Sequence, residues 1–185
     1  MTAWRQQGEL WRLEPTGRPR GLIEFIGGSY LAASPQLSYR RCLEALAARG
    51  WRIHAWSYVP GFDHQAQANT AWRLFRQQRG ETAFPLIRLG HSLGCKLHLL
   101  APDGGRRCDG LVALRDTIDQ SGRLIGVLQA RASDASTLLE LPGDHLTPAS
   151  GGLRKQFLGE WADDPARQRS MERLAEQISA WSGTA

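Results

Sequence analysis

The chain is short of several features that would mark common protein classes. It has three cysteines, Cys42, Cys95 and Cys108, an odd number without metal-ligand spacing, which argues against a disulfide framework and against a cysteine-based metal site. Cys42 and Cys95 lie in apolar helical patterns and are expected as buried, reduced thiols. Lysine occurs only at Lys96 and Lys155, so the formal net charge of +5 is almost wholly arginine. Arginine groups such as Arg40-Arg41 and Arg106-Arg107 are scattered between apolar helical positions instead of forming one stripe, which argues against nucleic acid as a partner. No stretch reaches the roughly 18–20 apolar residues of a membrane span, and Met1 is not followed by the apolar core of a signal peptide. Internal repeats and low-complexity tracts are absent. A soluble, cytoplasmic protein with no integral membrane part is expected, and its 185 residues suit a single domain spanning 1–185.

What is present is an alternation of two periodicities. Residues 9–14 alternate polar and apolar like a half-solvated edge strand, and 22–26 form a nearly continuous apolar run closed by Gly27-Gly28. Residues 37–49 repeat apolar positions at helical spacing up to Gly50, 51–59 read as a strand, 60–64 as a loop and 66–78 as an amphipathic helix. A second apolar run covers 84–89. After it come a helix around 95–100, a turn at 102–105, a strand at 110–114, a helix at 123–131, a strand at 137–141 and a closing helix at 163–181. Strands alternating with helices predict an α/β fold: a mostly parallel sheet covered on both faces, a three-layer sandwich with right-handed crossovers. In such sheets functional residues gather beyond the carboxyl ends of the strands.

One such end carries Gly90-His91-Ser92-Leu93-Gly94. G-x-S-x-G directly after a strand describes a nucleophile elbow, a strained strand-to-helix turn whose flanking glycines let neighbouring backbone approach. Ser92 is therefore the candidate nucleophile. A serine hydroxyl is a poor nucleophile at neutral pH and needs a base, with a third group to orient that base. In α/β hydrolases the chain order is Ser, then Asp or Glu, then His. His145, after the last predicted strand, is the candidate base. Asp116 is the preferred acid because it stands nearer the end of its strand, with Asp119 as the alternative, although either could instead cap a loop or helix. The oxyanion needs two backbone N–H groups. Leu93 supplies one naturally, and the other is expected from Gly27, Gly28 or Ser29. His91, Phe62 and His64 are candidate pocket-lining residues, with loop packing the competing reading for His64. The scheme requires no metal and no organic cofactor.

Several further stretches agree with one another: Phe25-Ile26-Gly27-Gly28, Ser34-Pro35-Gln36-Leu37-Ser38-Tyr39-Arg40, Phe62-Asp63-His64, the elbow continued by Cys95-Lys96-Leu97-His98, Ile118-Asp119-Gln120-Ser121 and Pro142-Gly143-Asp144-His145. With them the chain resembles a family of uncharacterised α/β-hydrolase-like proteins of cyanobacteria and plant plastids. The resemblance implies the hydrolase fold and a bacterial, cytoplasmic setting; it brings no substrate. One departure stands out, because Ser92 and Asp116 are only 24 positions apart, which leaves room for one helix and one strand and implies a reduced or missing cap. The expected function is a serine hydrolase acting on a small-molecule or lipid-like acyl substrate. The alternative is a non-catalytic binding protein of the same fold, in which tryptophans such as Trp4, Trp11, Trp56 and Trp161 include exposed partner contacts. Oligomeric state is not legible in the sequence.

Overall fold

A computed structural model describes residues 3–79, 85–114, 147–149 and 165–182. Within them the strands are β1 (Arg5–Gln7), β2 (Leu10–Leu13), β3 (Gly21–Ile26), β4 (Trp51–Trp56), β5 (Leu86–His91) and β6 (Gly110–Leu114), ordered β1-β2-β4-β3-β5-β6 in one sheet. β3, β4, β5 and β6 pair in parallel, with Ile23 opposite Ile53 and Gly90 opposite Ala113. β1 and β2 form an antiparallel hairpin that adds to β4. The expected edge strand at 9–14 is thus corrected to the second position: β1, exposed along its three residues, lies outside it. Every residue of β3 and β5 is buried, as strands covered on both faces must be.

The covering helices are α1 (Pro35–Ser38), α2 (Arg40–Ala48), α3 (His64–Arg79), α4 (Leu93–Leu99) and α5 (Pro165–Trp181). Side chains alternate across a strand, and two apolar clusters follow from that alternation. On one face Ile23, Phe25, Ile53, Ile87 and Leu89 pack with Leu43 and Leu46 of α2 and Met171 and Ala175 of α5. On the other, Leu10, Ile26 and Trp56 pack with Ala68, Ala71 and Phe75 of α3 and Leu97 of α4. These are the three layers expected. Trp56 is buried and stacks on Tyr58 with ring centroids 4.2 Å apart, while Trp4 and Trp11 pack against the core; Trp161 lies outside the described residues. The helix expected at 37–49 is broken at Tyr39, whose backbone departs from helical geometry between α1 and α2. The elements expected at 123–131 and 137–141 lie outside the described residues.

The run at 84–89 is not purely apolar: Arg88 is 2% exposed. It stands opposite Glu24 in the parallel register of β3 and β5, and Glu24 stands opposite His54 of β4. Arg88 donates from Nη1 and Nη2 to the two oxygens of Asp103 at 2.7 and 2.8 Å. Its Nε lies 3.6 Å from Glu24, and Arg79 approaches the other Glu24 oxygen at the same distance. A buried guanidinium is stable only when its donors are paired, and removing one partner of such a pair costs about 3–5 kcal/mol. Burial pushes the Asp103 carboxyl up, but the hydrogen bonds and charge of Arg88 outweigh it and hold the group down to about 2. Asp103 follows α4, so this pair fastens the connection into β6 to the centre of the sheet.

Two buried histidines accompany this row. Burial, then the charge of Arg88, lowers His98 to about 3. Burial, then Arg12, Arg52 and Arg79, lowers His54 to about 3. Both rings are neutral in the folded chain, whereas the unfolded chain binds their protons near 6.5. Their contribution is therefore complete above about pH 6.5 and is lost as pH falls toward 3, by up to about 1.4 kcal/mol per pH unit for each ring. Urea unfolding at pH 7, 6 and 5 is expected to show a steadily falling midpoint, and His54→Leu should reduce the slope by about half. A pH-independent midpoint over that range contradicts the assignment.

Candidate active site

β5 ends at His91 and α4 begins at Leu93, so Ser92 is the single residue of the corner. Its backbone, at φ 52 and ψ −116, and that of Tyr30 are the two positive-φ conformations of non-glycine residues among those described. Such a conformation costs on the order of 1–3 kcal/mol and persists only where the surroundings enforce it. The enforcing contacts are visible. A side chain at Gly94 would overlap the Ile26 carbonyl, and one at Gly90 would come within 2.6 Å of the Cys95 nitrogen. The Ser92 N–H donates to the Leu114 carbonyl of β6 at 3.2 Å, and the Cys95 N–H closes the turn on the Ser92 carbonyl at 3.1 Å. Ser92 and Leu93 are both partly exposed. Leu93 opens α4, where the N–H groups of the first turn have no partner within the helix.

The loop after β3 lies against this corner: a side chain on Gly28 would stand 3.1 Å from the Ser92 Cβ. One peptide unit of that loop is held at both polar ends. The Gly27 carbonyl accepts from the Tyr58 hydroxyl at 3.0 Å, and the Gly28 N–H donates to the Tyr39 hydroxyl at 2.8 Å. Tyr39 lies in turn 2.8 Å from His91 Nδ1. Burial raises both tyrosines, so they remain protonated phenols. The Tyr39 ring also explains Gly27, where a Cβ would come within 2.7 Å of it.

The remaining expected residues fall as follows. His91 is buried beneath the loop on Tyr39, with its ring edge-to-face at 5.5 Å. Phe62 is fully exposed on the loop before α3. His64 is the first residue of α3, and its Nδ1 accepts from the Lys96 ammonium at 3.0 Å. Ser29 follows the held peptide unit and is partly exposed. Of the oxyanion candidates, the Gly28 N–H is therefore already engaged by Tyr39, leaving Gly27 and Ser29 as the loop amides. His145, Asp116 and Asp119 lie outside the described residues; β6, which precedes both aspartates, pairs directly with β5. Among the described residues no group of three or more His, Cys, Asp or Glu could hold a metal ion. No helix among them is long and apolar enough to cross a membrane.

Sequence reasoning gave no role to Tyr39, Tyr58 or the Glu24–Arg88–Asp103 group. Opposite charges at the middle of two apolar strands were a usable signal for the last. The tyrosines had none, because a phenol in an apolar helical or strand pattern reads as core.

Helices on both faces of a mostly parallel sheet, with a strained serine corner after a central strand, define an α/β-hydrolase-like fold. By sequence the chain belongs to the family described as "Protein of unknown function (DUF1350)", which matches residues 3–114, more than half of it. Among solved structures, dienelactone hydrolase from Anabaena variabilis ATCC 29413 superposes with a TM-score of 0.56 at 14% identity, covering 98% of this chain and 95% of that one. A thermostable carboxyl esterase from Bacillus coagulans reaches a TM-score of 0.41 at 17% identity, covering 70% of this chain and 49% of the other. The fold likeness rests on the first of these. The chain spans about half the length of two other structures it matches, 51% of a putative thioesterase from Silicibacter sp. TM1040 and 49% of the carboxyl esterase. No curated protein matches it by sequence.

Two sets of substitutions test this geometry. Ser92→Gly is expected to raise stability by about 1 kcal/mol by releasing backbone strain, and Gly94→Ala to lower it by about 3 kcal/mol or more, in urea unfolding at neutral pH. Tyr39→Phe and Tyr58→Phe should each cost about 1–3 kcal/mol, because each leaves a buried group of the glycine peptide unit without its partner. Near-zero changes in both tyrosine variants would show that this peptide unit is held by other contacts.

Proposed function

We propose that the protein is a serine hydrolase that cleaves an ester, thioester or related acyl bond through an acyl-Ser92 intermediate. The Ser92 hydroxyl oxygen attacks the acyl carbon while its proton passes to His145. The tetrahedral oxyanion is met by the Leu93 N–H and by an amide of Gly27 or Ser29, and losing one such donor lowers the rate by about 10²–10³. Collapse expels the alcohol or thiol, which takes the proton from His145. Water, deprotonated by the same histidine, then releases the acid and restores Ser92. Asp116 orients His145, with Asp119 as the alternative acid. In this reading residues 1–185 act as one domain, and no metal or organic cofactor takes part in any step.

The observation that carries this reading is the enforced strain at Ser92. A corner for packing alone has no need of a serine in a conformation better suited to glycine. A second reading, a non-catalytic binding protein of this fold, is favoured by one observation: the Gly28 N–H is committed to Tyr39, which removes one donor that an oxyanion could use.

Labelling with a fluorophosphonate probe, followed by turnover of p-nitrophenyl esters, separates the two. Wild type is expected to be labelled, and Ser92→Ala and His145→Ala to lose both labelling and turnover, the latter by about 10³-fold or more. Asp116→Asn should reduce turnover by at least about 10²-fold while Asp119→Asn stays within about twofold; the reverse pattern moves the acid to Asp119. A folded wild type that resists the probe favours the binding protein.

A further inference from the structure

Among the described residues, the large hydrophobic side chains left exposed are Tyr30, Leu37, Val59 and Phe62, at 95, 50, 80 and 106%. They are not scattered. Tyr30 and Leu37 follow β3, and Val59 and Phe62 follow β4, so all four stand at the edge of the sheet where β5 delivers Ser92. The segments carrying them are fastened to one another and to α3. Ser57 Oγ donates to the Ala33 carbonyl at 2.7 Å, the Tyr58 N–H to the Ala32 carbonyl at 3.2 Å, and Gln67 to the Val59 carbonyl at 2.9 Å. The apolar groups are thus displayed by a hydrogen-bonded rim.

Tyr30 adds an independent observation. Its φ of 63 is the left-handed conformation that glycine or asparagine adopts readily and an aromatic residue does not. Burial of the ring does not offset this, since it is 95% exposed. Strain that displays an aromatic ring to solvent at the edge that carries Ser92 points to a use outside the fold, and large apolar side chains exposed together at one edge of the sheet mark an interaction site.

The occupant follows from what the rim surrounds. A protein seated on it would cover partly exposed Ser92, whereas a lipid surface takes up the four side chains and at the same time supplies acyl esters to the serine. The exposed Lys96 of α4, whose ammonium reaches His64 at the start of α3, places positive charge beside these side chains and complements an anionic leaflet. We propose that Tyr30, Leu37, Val59 and Phe62 insert into an anionic lipid surface and that the substrate is an acyl lipid drawn from it. This rests on the hydrolase reading of Ser92. The net reaction is hydrolysis: water adds across the acyl C–O bond, giving a fatty acid and the lipid alcohol, with no redox change.

The test uses the full chain with Ser92→Ala, so that hydrolysis does not alter the membrane. It is floated with vesicles of phosphatidylcholine containing phosphatidylglycerol and with phosphatidylcholine alone. Partition is expected on the anionic vesicles and should fall at least about tenfold in the combined variant Tyr30→Asn, Val59→Ser, Phe62→Ser, whose melting temperature stays at the parent value. Wild type should release fatty acid from the same vesicles. Labelling of wild-type Ser92 by fluorophosphonate without partition overturns the lipid surface and leaves the hydrolase reading intact, with a soluble acyl compound as the substrate. Partition that survives in the combined variant overturns the role of the rim. Partition with neither labelling nor fatty-acid release overturns the substrate and, separately, the hydrolase reading.

Discussion

The peptide unit between Gly27 and Gly28 is the constraint on which the site depends. Its carbonyl and its N–H are each held by a buried phenol, from Tyr58 after β4 and from Tyr39 between α1 and α2. Three separate parts of the chain therefore converge on one amide plane. α4 rests on the same place, since Gly94 has no room for a side chain above the Ile26 carbonyl. Tyr39 continues the contact to His91, one residue before the serine. Each hydrogen bond contributes only about 1 kcal/mol net, but a buried group left unpaired costs more, so the arrangement is maintained as a set.

A second polar feature lies deeper, on the face covered by α3 and α4. Glu24, Arg88 and Asp103 place charge at the centre of a sheet that is otherwise apolar, and burial raises the Glu24 carboxyl against the pull of Arg79 and Arg88. Well-packed apolar residues can do as well for stability as a buried ion pair. What this group does visibly is fix register: Arg88 meets Glu24 across β3 and β5 and holds the chain after α4 through Asp103. The nucleophile turn hydrogen-bonds to Leu114 of β6, so the path by which the chain returns to β6 bears directly on where Ser92 sits.

Much of this was legible in the sequence. Periodicity marked β3, β4, β5, β6 and the helices that cover them, because burial on both faces leaves continuous apolar runs that polar turns cannot imitate. The five residues of the elbow and the glycines after β3 pointed to the same end of the sheet. Other features were hidden for physical reasons. Residues 9–14 alternate as an edge strand would, yet the pairing of β1 outside β2 depends on a two-residue turn and not on hydrophobic pattern. Arg88 was masked by its apolar neighbours. Tyr39 interrupts a helix whose apolar spacing runs on through it, and its role depends on Gly28 and His91, which are distant in the chain. A hydrogen bond between remote residues leaves no periodic trace.

The contacts around Ser92 also bear on how such a site is inherited. Its turn is held open by the Ile26 carbonyl, the Leu114 carbonyl and the tyrosine-pinned loop, none of which belongs to the five residues that spell the elbow. Grafting those five residues onto another strand end would reproduce the letters and not the conformation, because the strained backbone is a property of its neighbours. The contacts that impose this conformation all lie between the start of β3 and the end of β6, and the family match at residues 3–114 ends on the last residue of that block.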